Sequence, residues 1–82
     1  MEETRIAVLA IAVKNRERAM QLNEILHTYG SHIISRTGIP YKDRGISIIT
    51  VIMDAPQDVV STLSGKIGKL TEVEVKTSYL KL

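Results

Sequence analysis

Three groups of residues have the types and spacing to do chemistry. Lys14, Asn15 and Arg16 stand in a row, and such a run at the start of a helix offers an anion two cations, an amide and free backbone N–H groups. It has an equally simple structural reading, because Asn is a preferred helix cap and exposed Lys and Arg need no special role. Arg36, Tyr41 and Arg44, with Lys42 among them, form a second basic group inside the stretch Ser35 to Thr50. That stretch also holds Gly38, Pro40 and Gly45, so it reads as the end of a strand and a solvated turn. Whether its Arg36, Lys42, Arg44 cluster binds an anion stays open. His27 and His32 bracket Gly30, but a metal site needs three or four ligands. No metal site and no cofactor is therefore assigned. No Ser/His/Asp set or carboxylate pair can be placed, and the chain is not expected to be an enzyme.

The length and composition suit one domain, residues 1–82, with one core: 82 residues, 44% hydrophobic and 24% charged. Domains of this size are often stabilised by association. The absence of cysteine rules out a disulfide framework and thiolate ligation, and a cytoplasmic location is the natural expectation. A formal charge of +2 is too mild to indicate a phosphate-backbone binder. The apolar run Ile6 to Val13 is too short to span a bilayer and follows an acidic leader, so it reads as a buried strand rather than a signal segment.

Periodicity supplies the elements that must hold these groups. Ile6 to Val13 is apolar at every position, the mark of a strand covered on both faces. Asn15 caps a helix over Arg16 to Tyr29, whose stripe Ala19, Leu22, Leu26 and Tyr29 opposes Arg16, Arg18, Gln21 and Glu24, with Gly30 as the stop. A second strand is expected over about His32 to Thr37 and a third over Ile46 to Met53. Pro56 opens a second helix with the stripe Val59, Val60, Leu63 and Ile67. Gly65 lies inside that helix at a cost of about 1 kcal/mol relative to Ala, which suggests close approach of the first helix or of a partner. From Glu72 to Leu80, Val73, Val75, Thr77 and Tyr79 alternate with Glu74, Lys76 and Ser78, giving a strand with one wet face.

The order β-α-β-β-α-β folds most compactly as an α+β ferredoxin-like unit, a four-stranded antiparallel sheet with both helices on one face. Strands one and three are then central. Ile46, Ile48, Thr50 and Ile52 share one face of the third strand, opposite Ile49, Val51 and Met53, and the helices can cover only one of these sets. Covering several hundred Å² of apolar surface is worth several kcal/mol at about 25 cal/mol per Å². Ile46, Ile48, Thr50 and Ile52 are accordingly expected to form a homo-oligomer interface, dimeric or tetrameric, through the open sheet face.

The same strand order hosts RNA-recognition domains, and Arg44-Gly45-Ile46-Ser47-Ile48-Ile49 matches their signature in outline. The base-stacking positions, however, are Ile46 and Ile48, and the chain has no Phe or Trp. Direct nucleic-acid binding is not expected, since stacking requires π faces. An acylphosphatase would need a glycine-rich loop where Lys14-Asn15-Arg16 stands.

Three segments, "RTGIPYKDRGISII" (36–49), "LSGKIG" (63–68) and "VEVKT" (73–77), taken in that order, resemble the small ACT-like proteins described as regulators of the iron-only hydrogenase system. That family is similar in turn to the C-terminal regulatory domain of the nickel-responsive repressor. The resemblance implies an ACT-like domain that regulates through oligomerisation and through a protein partner in the hydrogenase system or a ligand. The chain has neither a His-x-His strand nor a ribbon-helix-helix segment, so any effect on transcription would pass through a partner. Amino-acid-binding ACT domains imply a second reading, a sensor of an amino acid or other small anion, with Lys14, Asn15 and Arg16 as the contacts. A metal-responsive module using His27 and His32 across an interface is a third. No membrane association is expected.

Overall fold

The computed structural model describes residues 3–82. Strand β1 (Arg5–Val13) enters a 3-10 turn (Arg16–Arg18) and helix α1 (Ala19–Thr28). A second 3-10 turn (Gly30–His32) leads to β2 (Ile33–Tyr41), and a third (Lys42–Arg44) joins it to β3 (Ile46–Ala55). Helix α2 (Gln57–Gly68) and strand β4 (Val73–Tyr79) complete the chain. The sheet order is β2-β3-β1-β4 with every neighbouring pair antiparallel, the ferredoxin-like α+β arrangement with strands one and three in the centre.

The two-sided apolar pattern of the central strands divides by parity. Ala7, Leu9, Ile11 and Val13 of β1 and Ile49, Val51, Met53 and Ala55 of β3 are buried beneath Leu22 and Leu26 of α1 and Val60, Leu63 and Ile67 of α2. The alternate residues point away from both helices. Antiparallel register sets Val8 beside Ile52, Ala10 beside Thr50 and Ala12 beside Ile48 on that second face. On β4 the alternation of half-buried Val73, Val75, Thr77 and Tyr79 with exposed Glu74, Lys76 and Ser78 follows the expected pattern. Ser64 of α2 and Thr77 of β4 share a 2.8 Å hydrogen bond that ties helix to edge strand. At the far end Arg5 stacks over the Tyr79 ring, 4.3 Å from its centroid.

Four local expectations need correction. Strand β2 continues to Tyr41 rather than ending near Thr37, so Gly38 and Pro40 lie in a strand. An edge strand pairs on one side only and tolerates a proline there. The reversal is confined to Lys42–Arg44 and Gly45, whose φ of 63° is the left-handed conformation that glycine adopts cheaply. Helix α1 starts at Ala19, after a separate 3-10 turn, and it does not stop on a left-handed Gly30. Tyr29 closes it through its N–H to the Leu26 carbonyl at 3.1 Å, and Gly30 opens the next 3-10 turn. Gly65 is exposed, and a Cβ built there meets nothing within 4 Å. Close approach of α1 therefore does not explain it.

No helix among the described residues is long and apolar enough to cross a membrane.

Candidate functional site

Two surfaces collect the residues singled out above, one on the helix side of the sheet and one on the open face. On the helix side, Asn15 has the extended backbone of a cap, and its Oδ1 accepts the Glu17 N–H at 2.9 Å. Its amide donates to the Glu72 carboxylate at 2.9 Å, and the Lys14 N–H donates to the Glu72 carbonyl at 2.8 Å. Glu72 itself sits at φ 63°, an uncommon left-handed conformation for a side chain of this kind. The exit of β1 is thus pinned to the entry of β4. Lys14, Asn15 and Arg16 share an open groove of about 490 Å³ with Lys42, Ser47 and Glu72, so the first basic run meets one member of the second.

Arg36 lies elsewhere. Paired with Val51, it projects toward the helices, where its guanidinium donates to Oδ1 of Asn23 on α1. Arg16, Met20, Asn23 and His27 together with Ile33 and Arg36 line a wide groove of about 1080 Å³ between α1 and β2. A smaller recess of about 210 Å³ adjoins it, sharing Arg16, Ala19, Asn23 and Arg36 and reaching Gly38, Pro40 and Ser47. Tyr41 pairs with Ile46 on the opposite, open face. Arg44 is exposed in the 3-10 turn. The basic cluster that looked continuous in sequence is therefore dispersed: Arg36 joins Arg16 on one face, Lys42 joins Lys14, and Tyr41 belongs to the other face.

Asn23 and Met20 were not among the expected site residues. Their signal is a second helical stripe, Met20, Asn23 and His27 at i, i+3 and i+7, running beside the apolar stripe and facing β2. It is recognisable only once β2 is known to extend far enough to face it. Among the described residues no group of three or more His, Cys, Asp or Glu side chains could hold a metal ion.

The open face places Ile46, Ile48, Thr50 and Ile52 in one column on β3. Across the rungs stand Tyr41, Ile39, Thr37 and Ser35 of β2, and on the other side Ala12, Ala10 and Val8 of β1. Ile39, Tyr41 and Ile48 are 59%, 44% and 41% exposed. Glu74 and Lys76 of β4 border the apolar field beside Ala12 and Ala10. Ile46, Thr50 and Ile52 are half-buried within the protomer.

A family model described as "TM1266-like: Iron-only hydrogenase system regulator, putative" matches residues 5–77. The structure of the uncharacterized protein TM1266 from Thermotoga maritima superimposes with a TM-score of 0.91 at 38% sequence identity, covering 96% of this chain and all of that one. An unknown protein from Galdieria sulphuraria shares the fold with a TM-score of 0.65 at 15% identity; the alignment takes in 98% of this chain and 47% of that one. No curated protein sequence matches.

Proposed function

The chain belongs to the TM1266-like family of iron-only hydrogenase system regulators, and from that premise we propose that it is a non-catalytic, cytoplasmic regulatory protein that acts as a homo-oligomer assembled through its open sheet face. The observation that carries the reading is the apolar field centred on Ile48, flanked by Ile39 and Ala12 and continued by Ile46, Ile52 and Val8. None of the described residues lies over it, and monomers seldom leave such a surface in water.

Charge at its border favours a second copy as the cover. Glu74 and Lys76 are two residues apart on the same face of β4. A two-fold axis between them sets Glu74 of one protomer against Lys76 of its partner and the reverse, the self-complementarity that an isologous interface requires. The assembled protein would then present its helices and basic grooves outward to a partner in the hydrogenase system.

Sedimentation velocity across a dilution series tests the assembly. The native chain should sediment as a dimer or larger species, and Ile48→Glu should sediment as a folded protomer. A native chain that is monomeric at tens of micromolar would sink the proposal. Its regulatory part is tested in a strain lacking the gene: the native chain should restore normal iron-only hydrogenase expression and Ile48→Glu should not.

The convergence of Lys14, Asn15, Arg16 and Lys42 on one groove supports a second reading, a sensor of a small anion. The groove lies at the end of the sheet where Ile46 of the apolar field reaches it, so anion binding there would be felt at the edge of the assembly surface.

A further inference from the structure

We infer that the recess between α1 and β2 is a binding site for a short, branched or compact monocarboxylate that carries no amino group. The argument begins with Arg16 and Arg36. They reach the same recess from opposite walls, one at the entrance to α1 and the other on β2. Arg36 engages a neutral amide, Asn23 Oδ1, rather than a carboxylate. A guanidinium bonded to an amide oxygen keeps its full charge and further N–H donors in a planar fork that suits a carboxylate. Asn23 fixes the direction of that fork and holds it over the cavity.

The remaining walls decide what is attached to the carboxylate. Val13, Ala19, Gly38, Pro40 and Ile49 give the recess an apolar lining with one hydroxyl, that of Ser47. Its volume of about 210 Å³ accommodates roughly seven water-sized groups at about 30 Å³ each. That is the size of a five-carbon acid with its two oxygens. Gly38 widens the floor: a Cβ there would stand 3.7 Å from the Ile49 side chain, inside the space a ligand body would use.

The walls also argue against an α-amino acid. No Asp or Glu lines the recess; Glu24 borders the outer groove, with His27 and Thr28, and not the recess itself. An α-ammonium would share the recess with two guanidiniums and find no countercharge among its lining residues. A bare phosphate, for its part, would leave the apolar walls unused. The recess shares Val13, Arg16 and Ser47 with the groove at Lys14 and Lys42 and is set apart from it by Arg36 and Asn23; Ile39 of the open-face field reaches its edge, while Ile48 does not line it.

The test is an NMR titration of the uniformly ¹⁵N-labelled native chain with isovalerate, valine, acetate and inorganic phosphate in separate series. Isovalerate and valine share a skeleton and differ in the ammonium. Isovalerate should shift the Ala19, Asn23, Gly38 and Ser47 amides saturably and bind at least tenfold more tightly than the other three. Arg36→Gln should weaken isovalerate binding at least tenfold, with Arg36→Lys retaining part of it and both variants keeping the native spectrum elsewhere. Absence of saturable isovalerate shifts, equal or tighter binding of valine, acetate or phosphate, or unchanged binding by Arg36→Gln would each overturn the inference. Ile48→Glu should bind isovalerate as the native chain does. Failure of assembly and failure of this site are thereby distinguishable.

Discussion

Asn15 and Glu72, 57 positions apart, are joined by a 2.9 Å side-chain hydrogen bond. One amide group thereby caps the turn after β1 and holds the residue that launches β4. Replacing Asn15 by Ala removes both interactions and should cost about 1–2 kcal/mol in urea unfolding. Asn15→Asp keeps the cap acceptor but sets a second carboxylate against Glu72, so its loss should shrink as salt rises. Equal losses for Asp and Ala at all salt concentrations would show that the cap acceptor contributes nothing and that the added carboxylate is not repelled by Glu72.

Glu72→Gly isolates the backbone part of the same junction. Glycine adopts the left-handed conformation with less strain, a gain of about 1 kcal/mol, while the Asn15 contact is lost. The two effects nearly offset, and the unfolding midpoint should move little. Glu72→Ala forfeits the contact with no backbone relief and should be the less stable variant by about 1 kcal/mol.

Gly65→Ala should stabilise the protein by about 1 kcal/mol, because the added methyl meets open space on an exposed helix face. Thermal unfolding reads this directly. A loss of stability, or a change in sedimentation coefficient, would reveal a neighbour that this chain does not itself supply.

Adjacent residues of β3 should respond oppositely to the same change. Val51 is buried under the helices and Ile52 lies on the other face. Val51→Asp places an unpaired carboxylate in the core and should abolish the cooperative unfolding transition. Ile52→Asp should leave the far-ultraviolet circular dichroism spectrum of the folded chain and weaken self-association. Identical spectra for the two variants would contradict the assigned faces.

The Ser64 and Thr77 pair tests how α2 is tied to the edge strand. Ser64→Ala and Thr77→Val should each cost about 1 kcal/mol by stranding a part-buried hydroxyl, and the double variant should cost less than the sum. Full additivity would mean that the 2.8 Å contact carries no coupling.

Much of the fold was legible because its central strands are written in two-sided apolar runs and its last strand in strict alternation. Ile6 to Val13 and Ile46 to Met53 declare cover on both faces by near-continuous apolar runs, and Val73 to Tyr79 declares one wet face by period two. Strand β2 does not. It pairs on one side and carries Gly38 and Pro40, so its second half resembles a turn, and with its extent went the position of Arg36. The recess was illegible for the same reason. Asn23 and Arg36 are 13 positions apart, and only the azimuth of α1 over a strand of the right length brings them together. Gly65 carries a local propensity cost whose reason the pattern does not name, and the described residues bring no neighbour within 4 Å of a Cβ built there.

Between Ile33 and Ser35 the pairing of β2 with β3 slips by one residue, leaving Ile34 61% exposed as a bulge. Ile33 faces the core, so strict alternation from it would send Ile39 and Tyr41 toward the helices and Arg36 outward. The single extra residue works as a phase inverter. It assigns Arg36, the one cation of β2, to one address and Ile39 and Tyr41 to the other. Deleting Ile34 changes no chemical group in either surface, yet it would exchange their contents, and both would be lost together through an error of spacing alone.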